Sequence, residues 1–158
     1  MIVKNIIDED FSNYKTCSMF IGFPTCTFKC EQECNCKGMC QNASLAAAPN
    51  INITVRGLIK RYLDNPLSSA IVCGGLEPLD SIDDLMDLIH EFRLFYDDPV
   101  IIYTGYYKEE IMHIIKKLQT YPNIIIKFGR FIPNQEKHYD EVLGVYLASQ
   151  NQYAERIS

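Results

Sequence analysis

Five of the seven cysteines in this 158-residue chain fall within one stretch of fifteen positions. They are Cys26, Cys30, Cys34, Cys36 and Cys40, whereas Cys17 and Cys73 stand apart in apolar surroundings. A loop with closely spaced thiolates can wrap around a metal ion or an iron–sulfur cluster. Where thiols are kept reduced, such clustering is typical of metal ligands rather than of disulfides. The stretch from Cys26 to Cys40 is therefore the candidate metal site.

Three kinds of site are compatible with five cysteines in one loop. A structural zinc site takes four thiolates in a tetrahedron, and a ferredoxin-type cluster also takes four. A catalytic cluster takes three and leaves one iron open for a substrate or cofactor. Cys26 and Cys30 form a suitable first pair, but Cys34, Cys36 and Cys40 all lie within reach as the third ligand. The residues alone therefore leave the metal and its ligand set open.

Composition and charge narrow the class of protein. The net charge of −5 and the pI of about 5.2 argue against a dedicated nucleic-acid binder, which usually carries a basic stripe. The first residues lack the long apolar run of a secretory signal. No stretch has the apolar length that a membrane span needs. We therefore expect a cytoplasmic protein with no membrane or nucleic-acid partner, folded as a single domain over residues 1–158.

The chain after the cysteine loop alternates between apolar strands and amphipathic helices. Thr54 is a suitable N-cap for one helix, and Ser81 for a second helix with one apolar face. A third helical stripe lies within residues 109–118. Buried strands are predicted over residues 17–23, 69–73, 99–103 and 123–128. This alternation is typical of an α/β fold with a mostly parallel sheet.

Every predicted strand ends in small or flexible residues. The first leads into the cysteine loop, and the others lead into Gly-Gly-Leu-Glu-Pro at 74–78, Thr-Gly-Tyr at 104–106 and Gly-Arg-Phe at 129–131. In parallel α/β folds ligands bind beyond the carboxyl ends of the strands, so these four segments are expected at one rim.

The chain ends are predicted to be less regular: an irregular start over 1–16, a last strand over 142–148 and a polar tail over 149–158.

These motifs, in this order, resemble the radical S-adenosylmethionine (SAM) enzymes, and most of all the small activating proteins of anaerobic ribonucleotide reductases. Residues 17–23 followed by Cys26 and Cys30 resemble the family's first strand and the opening of its CxxxCxxC loop. Met39-Cys40-Gln41-Asn42 resembles the end of that loop, and Gly-Gly-Leu-Glu-Pro resembles its GGEP motif. Residues 102–106, 129–131 and 149–152 resemble a TGY strand end, a GRF-type segment and an SSNQ-type segment. The resemblance spans nearly the whole chain.

The resemblance implies a particular ligand set. Glu33 stands where the family's third cysteine would fall, and Leu76 is an extra residue inside GGEP. Only Cys40 has the apolar residue before it and the asparagine two positions after it that the family shows at its last ligand. By resemblance, Cys26, Cys30 and Cys40 therefore hold a 4Fe-4S cluster and carry the catalysis. Cys34 and Cys36 then lie inside an insertion.

By the same resemblance, the protein is a radical SAM oxidoreductase with the fold of a partial (βα) barrel. Its cofactors are the cluster, on a loop over residues 24–42, and SAM, which is cleaved reductively to a 5′-deoxyadenosyl radical. The implied SAM-binding residues are Met39, Asn42, Gly74, Gly75, Glu77, Pro78 and Thr104. The implied partners are an external electron donor and a glycyl-radical enzyme such as an anaerobic ribonucleotide reductase.

Two alternatives to this function stay open from the sequence. One is a radical SAM enzyme that acts on a peptide or a small molecule. The other is a non-catalytic zinc or iron–sulfur binding module that keeps the fold without turnover.

Overall fold

The computed structural model describes residues 1–158, and its backbone forms ten strands and five α-helices. The strands are β1 (Ile2–Val3), β2 (Asn5–Asp10), β3 (Ser18–Phe23), β4 (Ile51–Asn52), β5 (Ile71–Gly75), β6 (Val100–Tyr103), β7 (Ile124–Phe128), β8 (His138–Asp140), β9 (Val145–Leu147) and β10 (Tyr153–Arg156). The helices are α1 (Lys29–Cys34), α2 (Ala43–Ala47), α3 (Val55–Leu63), α4 (Ile82–Arg93) and α5 (Met112–Leu118). Short 3-10 turns over Pro78–Ser81 and Lys108–Ile111 precede α4 and α5. None of the helices is long and apolar enough to span a bilayer.

Six strands form one sheet in the order β10–β7–β6–β5–β3–β2. The four central strands pair in parallel and coincide with the four predicted strands to within two residues at their ends. β2 and β10 pair antiparallel at the two edges. The carboxyl ends of the parallel strands meet at one rim, so the loops that follow them meet there too. The fold is therefore mixed α/β with a mostly parallel sheet, while the partial barrel of radical SAM type and the single domain stay predictions.

One face of the sheet is covered by α3, α4 and α5. Alternate strand residues point to this face, where they join Leu58 of α3, Phe92 of α4 and Leu118 of α5 in a cluster of 22 buried residues. Thr54 caps α3 as predicted, because its side chain accepts a hydrogen bond from the Gly57 amide at 3.0 Å. This apolar packing holds the parallel strands, and hence their carboxyl ends, in fixed positions.

The opposite face of the sheet has a smaller core of seven buried residues. There Val72, Ile101 and Ile125 of the strands pack with Leu143 and Leu147, which lie in the turn and second strand of the β8–β9 hairpin. Beside this small core, a cavity of about 730 Å³ opens on the same face. We call this the open face, because no α-helix of the βα repeats packs on it.

Both chain ends differ from the sequence prediction. The predicted irregular start contains β2, which pairs with β3, and the predicted polar tail contains β10, which pairs with β7. The predicted last strand is shorter, over Val145–Leu147, and pairs with β8 outside the main sheet. Edge strands have a single neighbour and one exposed side, so acidic β2 and polar β10 lack the continuous apolar run of a central strand.

Ser81 differs from its predicted role as a helix cap. It lies at the start of α4, but its side chain makes no capping hydrogen bond. Its hydroxyl instead lies 2.7 Å from the hydroxyl of Thr25, in the loop after β3. Ser81 therefore joins the start of α4 to the beginning of the cysteine loop.

Candidate functional site

Three cysteine side chains share the cavity on the open face. Cys26, Cys30 and Cys40 all line it, and all three are free thiols. Cys34 and Cys36 do not line it and are bonded to each other as a disulfide. The three cysteines that the family resemblance implies as ligands thus line one cavity, and the other two are bonded to each other outside it.

The backbone of the cysteine loop directs amide groups at two of these sulfurs. Phe28 adopts a left-handed conformation with φ of 53° just before α1. Its amide donates a hydrogen bond to Sγ of Cys26 at 3.2 Å. The amide of Asn42 donates in the same way to Sγ of Cys40 at 3.4 Å. Such N–H groups stabilise negative charge on cluster-bound sulfur and help to set the reduction potential of iron–sulfur centres.

Burial keeps the thiols of Cys26 and Cys40 protonated in the absence of metal. Burial raises the pKa of the Cys26 thiol to about 12, with further contributions from the carboxylates of Glu77 and Asp80. Burial also raises the pKa of the Cys40 thiol, and the carboxylate of Glu31 adds to the effect. Because metal ligands must be thiolates, iron binding here has to release protons and is favoured by rising pH.

Gly105, just after β6, leaves space beside the thiol of Cys30. A Cβ built at Gly105 would stand 3.6 Å from Sγ of Cys30 and 3.5 Å from Oε2 of Glu77. Both are ordinary van der Waals distances, so a larger side chain at Gly105 would press on both groups. The end of β6 therefore forms one wall of the thiol site.

The end of β5 approaches the same site through two glycines. Gly75 has φ of 83°, and a Cβ there would come within 2.8 Å of the Cα of Gly22, so only glycine fits without strain. Its carbonyl accepts a hydrogen bond from Nδ2 of Asn42 at 2.5 Å. This contact ties the end of the cysteine loop to the Gly-Gly-Leu-Glu-Pro segment.

Glu77 is the buried carboxylate of the site, only 5% exposed. Its Oε1 accepts a hydrogen bond from the Leu79 amide at 3.1 Å, and its Oε2 accepts one from the Gly105 amide at 2.8 Å. Burial raises its pKa to about 7, although these amides and the Thr104 hydroxyl lower it. Because each carboxylate oxygen can accept two hydrogen bonds, Glu77 retains acceptor capacity toward the cavity.

Most of the sequence-predicted site residues meet at the cavity. Those that line it are Cys26, Cys30, Cys40, Asn42, Gly74, Gly75, Glu77 and Thr104. Met39 is 48% exposed and does not line the cavity. Pro78 is buried at the start of a 3-10 turn and does not line it either. The roles of all these residues toward SAM stay predictions.

Lys127 is a cavity residue that sequence reasoning missed. It lies in β7, is only 7% exposed, and donates a hydrogen bond from Nζ to the Gly129 carbonyl at 2.9 Å. Burial lowers its pKa to about 8, while the charges of Glu77 and Cys30 raise it. The available signal was a lysine inside the apolar run Ile-Ile-Ile-Lys-Phe, since lysine is almost never fully buried without a partner.

Arg130, in the Gly-Arg-Phe segment after β7, holds the cysteine loop in place. Its guanidinium donates two hydrogen bonds of 2.7 Å to the carboxylate of Glu110. Its Nε also lies 2.9 Å from Oε1 of Glu33 on α1, and its side chain is only 3% exposed. The Glu110 pKa falls to about 2, chiefly because of these hydrogen bonds. Arg130 thus connects the end of β7 with the helix that carries Cys30.

The donor set fits a cluster with three protein ligands. Three free thiols face one cavity, two of them receive amide hydrogen bonds, and a buried cation lies beside them. No three cysteine, histidine or acidic side chains are close enough together to bind a single metal ion.

Comparison with known proteins identifies a family for this chain. A family model described as a 4Fe-4S single cluster domain matches residues 15–153. No curated protein matches the chain, and no solved structure matches it. The matched stretch contains the whole cysteine loop and all four parallel strands.

Proposed function

The chain belongs to the family of 4Fe-4S single cluster domains, and we propose that the protein is a radical SAM enzyme. The family match confirms the prediction of a 4Fe-4S cluster. In this proposal the protein cleaves SAM reductively to a 5′-deoxyadenosyl radical and thereby installs a glycyl radical on a partner such as an anaerobic ribonucleotide reductase. The proposal places the protein in the cytoplasm and requires an external electron donor.

One observation carries this proposal: Cys26, Cys30 and Cys40 share a cavity with the glycine-rich ends of β5 and β6. Three thiolate ligands leave one iron of a four-iron cluster without a protein ligand. When bound, the cluster supplies the electron that cleaves the sulfonium bond of SAM, while the protein provides binding, orientation and exclusion of water. A buried site with four thiolates would have no reason to face a cavity of about 730 Å³.

The residues around the thiols have separate tasks in this proposal. Gly74 and Gly75 expose backbone to the cavity, so a ligand can approach the end of β5 closely. Glu77 offers its remaining acceptor positions to an ammonium group. Lys127 offsets part of the negative charge that three thiolates bring to the cavity, because its Nζ has no carboxylate hydrogen-bonded to it.

The cavity is accessible to a second protein. Gln41, Ser44 and Tyr146 all line it and are exposed to solvent. Tyr146, on the β8–β9 hairpin, is 68% exposed. A loop of a partner enzyme can therefore reach the cavity between the hairpin and the cysteine loop, which suits a substrate that is a glycine residue of another chain.

The direct test is SAM cleavage by the loaded protein. The chain is reconstituted anaerobically with iron and sulfide, its iron content is measured, and SAM is added with a strong reductant. We expect 5′-deoxyadenosine and methionine to form. Absence of both products from protein with a full complement of iron overturns the proposal.

Cysteine variants test the ligand assignment in the same assay. Cys40→Ala is expected to abolish cleavage and to lower iron content, whereas Cys34→Ala and Cys36→Ala are expected to retain both. Cys17→Ala is the matched control, because Cys17 is a free cysteine outside the loop. The reverse pattern overturns the assignment of Cys40. Zinc rather than iron in anaerobically purified protein would instead support the non-catalytic module.

A further inference from the structure

Cys34 and Cys36 are the cysteines of the loop that the proposed function leaves unused. They flank Asn35, which has a left-handed backbone with φ of 50° and turns the chain between them. Their Cα atoms are 5.2 Å apart, within the usual range for disulfides. Both residues are only partly buried, so small thiols and disulfides can reach them. The backbone thus places Cys34 and Cys36 at a separation that allows a disulfide, and both sulfurs are accessible for thiol–disulfide exchange.

The cysteines of this loop are in two oxidation states, because three are thiols and two form a disulfide. Cys26, Cys30 and Cys40 are free thiols, as iron binding requires. Conditions that oxidise thiols indiscriminately would convert these three as well and destroy the site. A bond between Cys34 and Cys36 is compatible with three reduced neighbours only if it forms and breaks under milder conditions, those set by cellular thiol and disulfide pools.

The pair is connected to the ligand Cys40 by hydrogen bonds of the loop. Cys34 is the last residue of α1, and the Cys36 amide donates to the Glu31 carbonyl at 3.1 Å. The Glu31 carboxylate accepts a hydrogen bond from the Cys40 amide at 3.0 Å. Because a bond between Cys34 and Cys36 fixes the turn at the end of α1, it also restrains the residue that positions the Cys40 backbone.

We propose that Cys34 and Cys36 form a reversible dithiol–disulfide couple whose oxidised state holds Cys40 in position for iron. One thiolate of the pair attacks a low-molecular-weight disulfide, such as oxidised glutathione, and one glutathione thiolate leaves. The second thiolate then attacks the mixed disulfide, the Cys34–Cys36 bond forms and a second glutathione thiolate leaves. The protein dithiol is oxidised by two electrons, one glutathione disulfide is reduced to two thiols, and the two protons that the dithiol loses end, by way of solvent, on the two glutathione sulfurs.

The experiment uses the cluster-loaded protein under anaerobic conditions. It is equilibrated with glutathione buffers from fully reduced to fully oxidised, quenched in acid, stripped of iron, alkylated and mapped by mass spectrometry. The expected change is from seven alkylated cysteines to five, with Cys34 and Cys36 lost together. Pairing of either one with Cys26, Cys30 or Cys40, or alkylation of both at every glutathione ratio, overturns the couple.

Single variants trap the intermediate of the exchange. Cys34→Ser is expected to accumulate a glutathione adduct on Cys36, since the second attack is lost, and Cys36→Ser is expected to trap it on Cys34. Cys17→Ser, the matched control, is expected to keep the paired loss of two cysteines. Absence of an adduct in both loop variants argues against exchange at this pair and overturns it.

The link to Cys40 has its own readout. Iron release from the loaded wild-type protein to a chelator is expected to be about tenfold slower when the pair is oxidised. This factor is at the lower end of the change in metal affinity that follows the loss of a residue that orients a metal ligand. The Cys34→Ser/Cys36→Ser protein is expected to release iron at the faster rate in every buffer. Equal rates in both states overturn the positioning effect. A failure to load iron in the double variant would instead count against Cys40 as the third ligand, so the two failures are distinguishable.

Discussion

The two faces of the central sheet differ in what their side chains do. The helix-covered face packs 22 buried apolar residues, whereas the open face has seven and a cavity lined by thiols and charged groups. A single strand serves both faces: in β7, Ile126 packs with the helices and Lys127 lines the cavity. Since successive strand residues point to opposite sides, the sheet keeps stability on one side and chemistry on the other. Substitutions on the two faces are therefore expected to separate stability from iron binding.

The largest expected effect on stability is on the helix-covered face. Phe92 is fully buried, and its ring centroid lies 5.0 Å from that of Tyr62 and 5.5 Å from that of Tyr96. Phe92→Ala is expected to lower the free energy of unfolding by about 3–5 kcal/mol, because it removes apolar area and leaves a cavity. Denaturant unfolding measures this loss. Iron bound per folded molecule is expected to stay unchanged. A fall in iron bound per folded molecule would contradict the separation of stability from iron binding between the two faces.

On the open face, the pH dependence of stability sharpens the comparison. The pKa of Glu77 is raised from 4.5 to about 7, so the unfolded chain loses this proton first and stability falls as pH rises from 4.5 to 7. The pKa of Lys127 is lowered from 10.5 to about 8, so the contribution of Lys127 to stability is regained as pH rises from 8 to 10.5. Above the ordinary thiol pKa of 9.0, the raised pKa values of the Cys26 and Cys40 thiols act in the opposite direction. Between pH 4 and pH 9, the metal-free protein is expected to be least stable near pH 7–8.

Each limb of this pH profile has a magnitude of roughly 3 kcal/mol, from about 1.4 kcal/mol per pKa unit. Glu77→Gln is expected to flatten the acid limb alone, and Lys127→Met the alkaline limb alone. Urea unfolding of the metal-free protein between pH 4 and pH 10 measures both. A profile that both variants leave unchanged would mean that the open face carries no unpaired charge.

A smaller effect is expected at the rim between the faces. Arg130→Met removes two 2.7 Å hydrogen bonds to Glu110 and the contact with Glu33, but it leaves both carboxylates partly in solvent. We therefore expect a loss of about 2 kcal/mol, together with weaker iron binding because α1 is released. Thermal unfolding and iron titration measure the two effects. The control is Lys60→Met, which removes an exposed pair with Asp64 and is expected to cost under about 0.5 kcal/mol.

The smallest effect distinguishes two helix starts that look alike in sequence. Thr54 accepts a capping hydrogen bond from the Gly57 amide, so Thr54→Ala is expected to cost about 1 kcal/mol in unfolding free energy. Ser81 makes no such bond, so Ser81→Ala is expected to cost less and to act on the loop after β3. Equal losses from denaturant unfolding would contradict the difference between the two caps.

The parts of the fold that sequence predicted are those with a continuous apolar pattern. The four parallel strands and α3 follow from apolar runs, helical spacing and the cap at Thr54. The edge strands β2 and β10 were missed, because half of their surroundings is solvent and their sequences are acidic or polar. Pairing across distant parts of the chain leaves no local signal in such strands.

The candidate site was predictable where its chemistry needs rare residues. The thiols of Cys26, Cys30 and Cys40 and the glycines at the end of β5 stand out in the sequence and do line one cavity. The sequence does not identify Lys127 and Arg130 as site residues. The role of Lys127 depends on the face of the sheet to which its side chain points, and the role of Arg130 depends on its contacts with Glu110 and Glu33. Met39 is 48% exposed and does not line the cavity, and its place beside the cofactor stays a prediction. That position depends on how the insertion folds, which spacing does not determine.

The parallel pairing of β3 with β5 has a consequence for the history of the loop between them. Folding must close this long connection whether or not the residues between Cys30 and Cys40 are present. Closure entropy grows only with the logarithm of length, so lengthening a loop of this size by a few residues costs no more than about 0.3 kcal/mol. The closure entropy of the fold therefore places almost no limit on the length of the segment that carries Cys34 and Cys36, and what this segment contributes depends on its contacts and its sulfur chemistry.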